Sequence, residues 1–142
     1  MFSQKVAGIT GGLLYALTGS QSVDDLAHCV SDQKRLVTEV EDAYMLIKTR
    51  RQDNVVAGID RLANTINRMP KYLSSCPKSK PHVAQLQQWS KTYSKNVVAE
   101  NFLAKDSQMS VEFAKANFEF KNYLYWEFGE ELGSILRILN NH

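Results

Sequence analysis

The sequence predicts an all-helical fold, an up-and-down bundle of four to five helices with a short N-terminal helix and one disulfide. Three observations predict it. The chain has only three prolines and seven glycines in 142 residues. Apolar residues recur at intervals of three and four, as on one face of a helix. No segment alternates apolar and polar residues as a half-buried strand does. The length and composition predict a single domain over residues 1–142.

The first helix is predicted from residues 6–17, which are apolar but interrupted by glycines. This segment is too short to span a bilayer, which takes roughly 20 residues. We therefore expect a short helix laid across the bundle or extending it, with any signal peptide lying upstream. The other segments are less apolar, and the sequence predicts no transmembrane segment.

The remaining helices follow from the same spacing and from the residues that interrupt it. A capping box at Ser22 and Asp25 predicts the start of a helix that continues to Ile47. A turn at residues 50–54 separates it from a helical segment over 56–73, in which Pro70 is expected either to start a fresh turn or to kink the helix. The proline-containing linker 76–81 ends that hairpin. Three further segments are predicted: 83–93, 97–120 with a break near 94–96, and 124–139 after a turn at 121–123.

The two cysteines are predicted to form a disulfide. If the first long helix and the next one pack as an antiparallel hairpin turning near Gln52, Cys29 lies opposite residue 75. Cys76 is then within reach of Cys29, as an S–S bond requires. The bridge implies an oxidising compartment, so we expect a secreted or luminal protein. Two buried free thiols in a cytosolic protein are the alternative.

Charge is unevenly distributed along the chain. Residues 48–80 contain eight basic and two acidic side chains, whereas residues 1–47 and 106–142 each contain three basic and six acidic ones. Most such charges are solvated. The alternative is that the basic middle, including Arg50 and Arg51 in the turn, attracts an acidic partner or lets copies of the chain associate.

Aromatic residues are concentrated near the C-terminus. Seven of the fourteen fall within residues 113–128, more than one helix can turn inward. They are predicted to form a corner that packs over Trp89 and Tyr93. The alternative is an exposed patch that binds a partner, a lipid or a second copy. The segment is acidic, which argues against nucleic acid. The candidate interaction residues are Arg50, Arg51, Phe118, Phe120, Tyr123, Tyr125 and Trp126.

The sequence contains none of the common catalytic or metal-binding motifs. The three histidines are scattered along the sequence, and no nucleophile elbow, phosphate loop or dinucleotide fingerprint occurs. Glu127 and Glu131 lie four residues apart and could hold a cation or act as acid and base, but such pairs are far more often solvated. We therefore expect that the protein is not an enzyme and that it binds no metal ion and no cofactor. Gly129 and Gly133 predict a close helix crossing, within the domain or between copies.

Several short segments carry a resemblance to a known group. They are Leu26–Cys29, Met69–Leu73 before Cys76, Leu86–Trp89 and Tyr125–Gly133. Their layout resembles small secreted two-cysteine helical proteins of ciliated protists. The resemblance implies secretion, a Cys29–Cys76 bridge and a helical bundle, and it implies no particular activity.

Three functions are compatible with these observations. The first is a non-enzymatic secreted protein that binds a protein partner, or itself, through charged ends and the aromatic corner. The second is a carrier of a lipid or another apolar molecule in a cavity between helices. The third is a helical enzyme inhibitor acting through the basic turn at Arg50 and Arg51.

Overall fold

The computed structural model describes residues 2–19, 33–74, 76, 78 and 80–142. Within these ranges the chain is helical and contains no strand, which confirms the predicted all-helical class. The helices are α1 Phe2–Thr18, α2 Lys34–Ile47, α3 Gln52–Asn67, α4 Met69–Tyr72, α5 Lys80–Lys91, α6 Lys95–Ala104, α7 Asp106–Lys121 and α8 Tyr125–Leu139.

The described ranges thus contain eight helices, and the prediction of four to five was wrong. Pro70 sits in the first turn of α4, where its missing N–H is tolerated, so the predicted second helix divides there. Ser94 caps α6 by accepting a hydrogen bond from the backbone N–H of Val97 at 3.3 Å. Lys105 leaves helical geometry at φ −114° and divides α6 from α7.

Helix α1 is a core helix rather than a helix laid across the bundle. Residues 9–14 are all buried, so this stretch is covered on every side. A helix that is apolar all round is stable only inside a protein or a membrane. Here it lies against α8 and also contacts α2 and α5. Among the described residues, no helix has the length and hydropathy needed to span a membrane.

The crossing of α1 and α8 depends on glycines from both helices. The positions are Gly8 and Gly12 on α1, and Gly129 and Gly133 on α8. A Cβ at Gly12 would overlap the carbonyl oxygen of Trp126 and lie 2.6 Å from the backbone nitrogen of Glu130. A Cβ at Gly129 would overlap the carbonyl oxygen of Ile9. The close crossing predicted for Gly129 and Gly133 is therefore formed within the chain.

Helices α2 and α3 form an antiparallel hairpin. Near their open end, Glu39 accepts a hydrogen bond from Thr65 at 3.2 Å and pairs with Arg68 at 2.9 Å. Nearer the turn, a Cβ at Gly58 would lie 2.7 Å from the carbonyl oxygen of Ala43. The partner residue number rises as the α2 residue number falls, as antiparallel packing requires.

The predicted disulfide concerns one residue inside the described ranges and one outside. Cys76 is fully buried and belongs to the hydrophobic core, and the described part of the chain contains no free cysteine. Cys29 lies outside the described residues, as do Ser22 and Asp25 of the predicted capping box. The structure therefore gives no geometry for the S–S bond, and the Cys29–Cys76 bridge stays a prediction.

All eight helices contribute buried apolar side chains to one core. It includes Leu13 and Leu14 of α1, Tyr44 of α2 and Phe128 of α8, each at most 1% exposed. The ring of Tyr44 packs at a tilt against Phe120, with ring centroids 5.0 Å apart. It makes an edge contact with Phe128, with ring centroids 4.9 Å apart. This core fixes the positions of the α2–α3 and α7–α8 turns.

Candidate functional site

The α2–α3 turn and the end of α7 lie at the same end of the molecule. A surface groove of about 290 Å³ is lined by Lys48 and Arg50 from the turn and by Asn117 and Lys121 from α7. At its base the hydroxyl of Tyr44 donates a hydrogen bond to Asn117 Oδ1 at 3.4 Å. Burial raises the pKa of Tyr44 to about 12, and the Arg50 guanidinium opposes part of that rise. The groove therefore has a basic rim over an uncharged phenol.

Two residues at this end have left-handed backbone conformations. Arg50 has φ +60° and Tyr123 has φ +59°, the only positive φ values among the described residues other than glycine. Such conformations cost roughly 1–2 kcal/mol per residue for side chains other than glycine. Strain of this kind concentrates at binding and switch positions, where the surrounding structure holds it.

The aromatic candidates separate into exposed and packed residues. Phe118 is 62% exposed and Tyr123 is 74% exposed. Phe120 is half-buried, with its ring centroid 5.1 Å from that of Phe128. Trp126, also half-buried, has its ring centroid 5.7 Å from that of Tyr15, and the Cβ of Tyr125 faces Gly8.

The predicted corner therefore packs on different partners from those expected. Its rings contact Tyr44 and Tyr15, whereas Trp89 lines a different groove together with Leu17 and Lys105. Only Phe118 and Tyr123 of the five aromatic candidates present most of their surface to solvent. We call the surface formed by Lys48, Arg50, Arg51, Phe118, Lys121 and Tyr123 the basic–aromatic end.

A second, larger groove of about 960 Å³ lies along α7 and α8. Its polar lining includes Glu112 and Lys115 of α7 and Glu130 and Glu131 of α8. Glu131 is only 5% exposed. One of its oxygens, Oε1, lies 3.3 Å from the Lys115 ammonium, while Oε2 is buried and has no hydrogen-bond partner in the described part of the chain. We call the surface formed by these four residues the acidic groove.

Two carboxyl groups of this region, those of Glu119 and Glu131, have raised pKa values. Burial, together with the neighbouring Glu112 carboxyl, raises the pKa of Glu131 to about 8, and Lys115 opposes part of that shift. Burial also raises the pKa of Glu119 to about 7, with Glu127, Glu130 and Glu112 adding to the rise. Three of these carboxyl groups, those of Glu112, Glu119 and Glu131, interact electrostatically with Lys115.

The acidic groove was not predicted from the sequence as a site. Glu127 and Glu131 were expected to be solvated, with a cation-holding pair as the alternative, and Glu131 is in fact buried. The signal that could have found it is the position of Glu131 among Phe128, Leu132 and Ile135, on the apolar face of α8. Within the described ranges, no group of three or more His, Cys, Asp or Glu side chains is placed to hold a metal ion.

The comparisons with curated proteins and with solved structures gave no match. The model of one protein family, SctB-like, described as secreted protein B-like, matches residues 2–141. That description confirms the predicted secreted location.

The resemblance to proteins of ciliated protists was wrong, because the match to SctB-like places the chain in a different family. The segments that suggested it are ordinary consequences of helix packing, since Gly129 and Gly133 serve the α1–α8 crossing and Leu86 is buried in the core. The match spans nearly the whole sequence, and the chain belongs to the SctB-like, secreted protein B-like family.

Proposed function

We propose that this secreted chain is a non-enzymatic assembly protein that associates with further copies of itself through the basic–aromatic end. The observation that carries the proposal is the exposure of two rings, Phe118 and Tyr123. In the chain they follow closely after Asn117 and Lys121, which line the basic groove together with Lys48 and Arg50. Buried rings and arginines contribute most of the affinity at protein interfaces.

The same chain carries a surface of opposite charge. Five glutamates lie along α7 and α8, and three of them, Glu112, Glu119 and Glu131, interact electrostatically with Lys115. A basic surface on one copy and an acidic surface on another attract each other and orient the encounter. An interface between two different surfaces of one protein is head-to-tail, so it closes into a ring or continues as a filament.

The alternative function, a carrier of a lipid or another apolar molecule, has less support from the shape and lining of the grooves than self-association has from the charged surfaces. The groove of about 960 Å³ is lined mainly by charged and amide side chains, including Glu131, Arg137 and Asn140. A smaller groove of about 290 Å³ beside Pro70 and Leu73 is more apolar but includes Lys80 and Gln87. Sites for apolar molecules are lined predominantly by hydrophobic and aromatic side chains.

Sedimentation velocity on the purified chain at low and high salt tests the proposal. We expect oligomers at low salt that dissociate at high salt, because salt screens charge attraction between exposed groups. Phe118→Ser and Lys121→Glu should each reduce association strongly. Leu103→Ser and Lys95→Glu are matched controls, since Leu103 is 64% exposed and Lys95 is an exposed lysine on α6. A monomer under all conditions, or equal effects of variants and controls, would contradict self-association.

A further inference from the structure

The basic groove, which lies between the α2–α3 turn and α7, concentrates positive charge. Its lining contains three cationic side chains, Lys48, Arg50 and Lys121, and no carboxyl group. The remaining lining residues are Tyr44, Phe113 and Asn117. Like charges that converge on one concave surface raise the local potential and attract ions of the opposite sign. The groove therefore has an excess of positive charge that a bound anion would neutralise.

No carboxylate in the described part of the chain pairs with these three cations. None of them takes part in an ion pair there. Asp53, at the start of α3, pairs with Arg51 at 3.6 Å instead. Glu119 of α7 interacts with Lys115 and Glu127, and it lies on the opposite side of that helix from the groove residues at 117 and 121. The excess charge is thus not balanced within the described residues.

The placement of Arg50 is not explained by helix stability. Lys48 and Lys121 lie at the C-terminal ends of α2 and α7, where a cation complements the helix dipole. Arg50 lies beyond the end of α2 and has φ +60°, a conformation that glycine adopts freely and that is costly for other residues. An arginine at a position that favours glycine points to a role for its guanidinium group.

The amide of Asn117 adds a neutral donor to the groove. Its Oδ1 accepts a hydrogen bond at 3.4 Å from the hydroxyl of Tyr44, whose side chain is held in the core. The amide nitrogen of Asn117 carries two N–H donors, and it donates to no other group in the described part of the chain. The groove therefore combines three cations with an amide that can donate to the same anion.

We propose that the basic groove is a binding site for a phosphate group, either the free ion or the monoester of a small molecule. A phosphate monoester carries about two negative charges near neutral pH and has three acceptor oxygens, so it suits donors that approach from a turn and from a helix. A carboxylate carries one charge on two oxygens and would leave more of the positive charge unbalanced. The groove volume of about 290 Å³ leaves room for a small attached group.

An NMR titration of the chain with inorganic phosphate, at constant ionic strength, tests the proposal. We expect saturable shifts of the amide signals of Arg50 and Asn117, and weaker binding of acetate under the same conditions. Phenyl phosphate distinguishes the two sources of the group. Tighter binding than that of inorganic phosphate identifies a monoester, and equal binding identifies the free ion. If neither phosphate saturates the shifts, or if acetate binds as tightly, the phosphate site is wrong.

Two variants at left-handed residues separate the role of the Arg50 side chain from that of its backbone. Arg50→Gly should fold at least as well as the wild type, because glycine adopts a positive φ without cost. Its phosphate affinity should nevertheless fall about threefold or more, since an exposed cation is lost. Tyr123→Gly makes the same backbone change at φ +59°, and Tyr123 does not line the groove. This control should bind phosphate normally.

A second pair of variants tests the amide donor. Asn117→Asp keeps an acceptor for the hydroxyl of Tyr44 and places a carboxylate among the cations, so phosphate affinity should fall about tenfold or more. Gln108→Glu makes the same change of charge at an exposed position of α7 outside this groove and should retain binding. Equal losses in variants and controls would show only general attraction of anions and would overturn the proposal. The titration measures phosphate binding rather than association, so its failure would not by itself contradict self-association.

Discussion

Lys115 and Glu131 form an ion pair of 3.3 Å in which the lysine is largely exposed and the glutamate is almost fully buried. The pair spans α7 and α8, and it engages only one oxygen of the carboxyl group. Burial therefore dominates the behaviour of Glu131, and its pKa is raised to about 8 in spite of the lysine. This imbalance gives the protein a specific dependence on pH.

We expect the free energy of unfolding to fall as the pH rises from about 5 to about 8. In this window folded Glu131, with its pKa raised to about 8, holds a proton that the unfolded chain releases near its ordinary value of 4.5. Glu119, with its pKa raised to about 7, acts in the same direction. Each group contributes at most roughly 1.4 kcal/mol per pH unit, and above the folded pKa the dependence ends. Urea unfolding at several pH values measures it.

The variant Glu131→Gln identifies the group responsible for this dependence. It should reduce the fall in the free energy of unfolding between pH 5 and pH 8. At pH 8.5 the variant should be more stable than the wild type, because no buried charge then forms. Glu100→Gln, on the exposed face of α6, should retain the wild-type slope. Stability that rises between pH 5 and pH 8 would show that the Lys115 attraction outweighs burial.

The glycines at the α1–α8 crossing should tolerate no side chain. Gly12→Ala places a methyl group against the backbone of Trp126 and Glu130, where no side-chain rotation can relieve the overlap. We expect a loss of about 3 kcal/mol or more in the free energy of unfolding, at the upper end for overpacking. The control is Gly19→Ala, which has open space around it but φ +78°, and it should cost only about 1 kcal/mol. Similar losses at the two positions would contradict the backbone contact.

A pair of buried threonines predicts opposite effects of the same substitution. The hydroxyl of Thr10 is buried and has no hydrogen-bond partner among the described residues, so Thr10→Val should stabilise the protein by about 1 kcal/mol. Thr65 donates to Glu39 at 3.2 Å and to the carbonyl oxygen of Arg61 at 3.1 Å as alternatives, so Thr65→Val should destabilise it by about 1 kcal/mol. Thermal unfolding of both variants measures the two changes in stability. A destabilised Thr10→Val would mean that the Thr10 hydroxyl does have a hydrogen-bond partner in the folded protein.

The cysteine pair gives a prediction that needs no structural detail. Intact mass measured before and after reduction should differ by the two hydrogens that the bridge removes. Loss of the bridge in Cys29→Ser should destabilise the chain by about 4 kcal/mol in the chain-entropy model. The double variant Cys29→Ser/Cys76→Ser controls for a lone thiol, since Cys76 is fully buried. An unchanged mass on reduction would show that the thiols are separate.

Much of the fold follows from apolar spacing alone. Helices α2, α3 and α8 each bury one apolar face, so the spacing of their apolar residues predicts them as helices. The division at Lys105 was missed, because apolar residues keep their spacing across it. At Pro70 the sequence predicted either a fresh turn or a kink, and a short new helix begins there. The central position of α1 was also missed, because glycines were taken as interruptions rather than as contacts with α8.

The candidate sites were harder to predict than the fold. Arg50 and Tyr123 were identified as candidates by charge and ring content, but nothing in sequence spacing shows that the two turns share one end or that both residues have positive φ. Glu131 becomes buried only when α7 packs on α8, and the partner residues are supplied by a different segment. Helical periodicity places Glu131 on the apolar face of α8, but it does not show that Lys115 of α7 is its partner.

The α1–α8 crossing also sets the order in which the protein can be completed. The hydrogen bond from Arg137 to Ala16 joins residues 121 positions apart, and the most extensive contact between two of the described helices, α1 against α8, closes the same loop. During synthesis, the apolar surface of α1 that packs against α8 therefore stays exposed until nearly the whole chain has left the ribosome. Contacts this distant in sequence slow folding, so we expect the α1–α8 crossing to be among the last parts of the molecule to close.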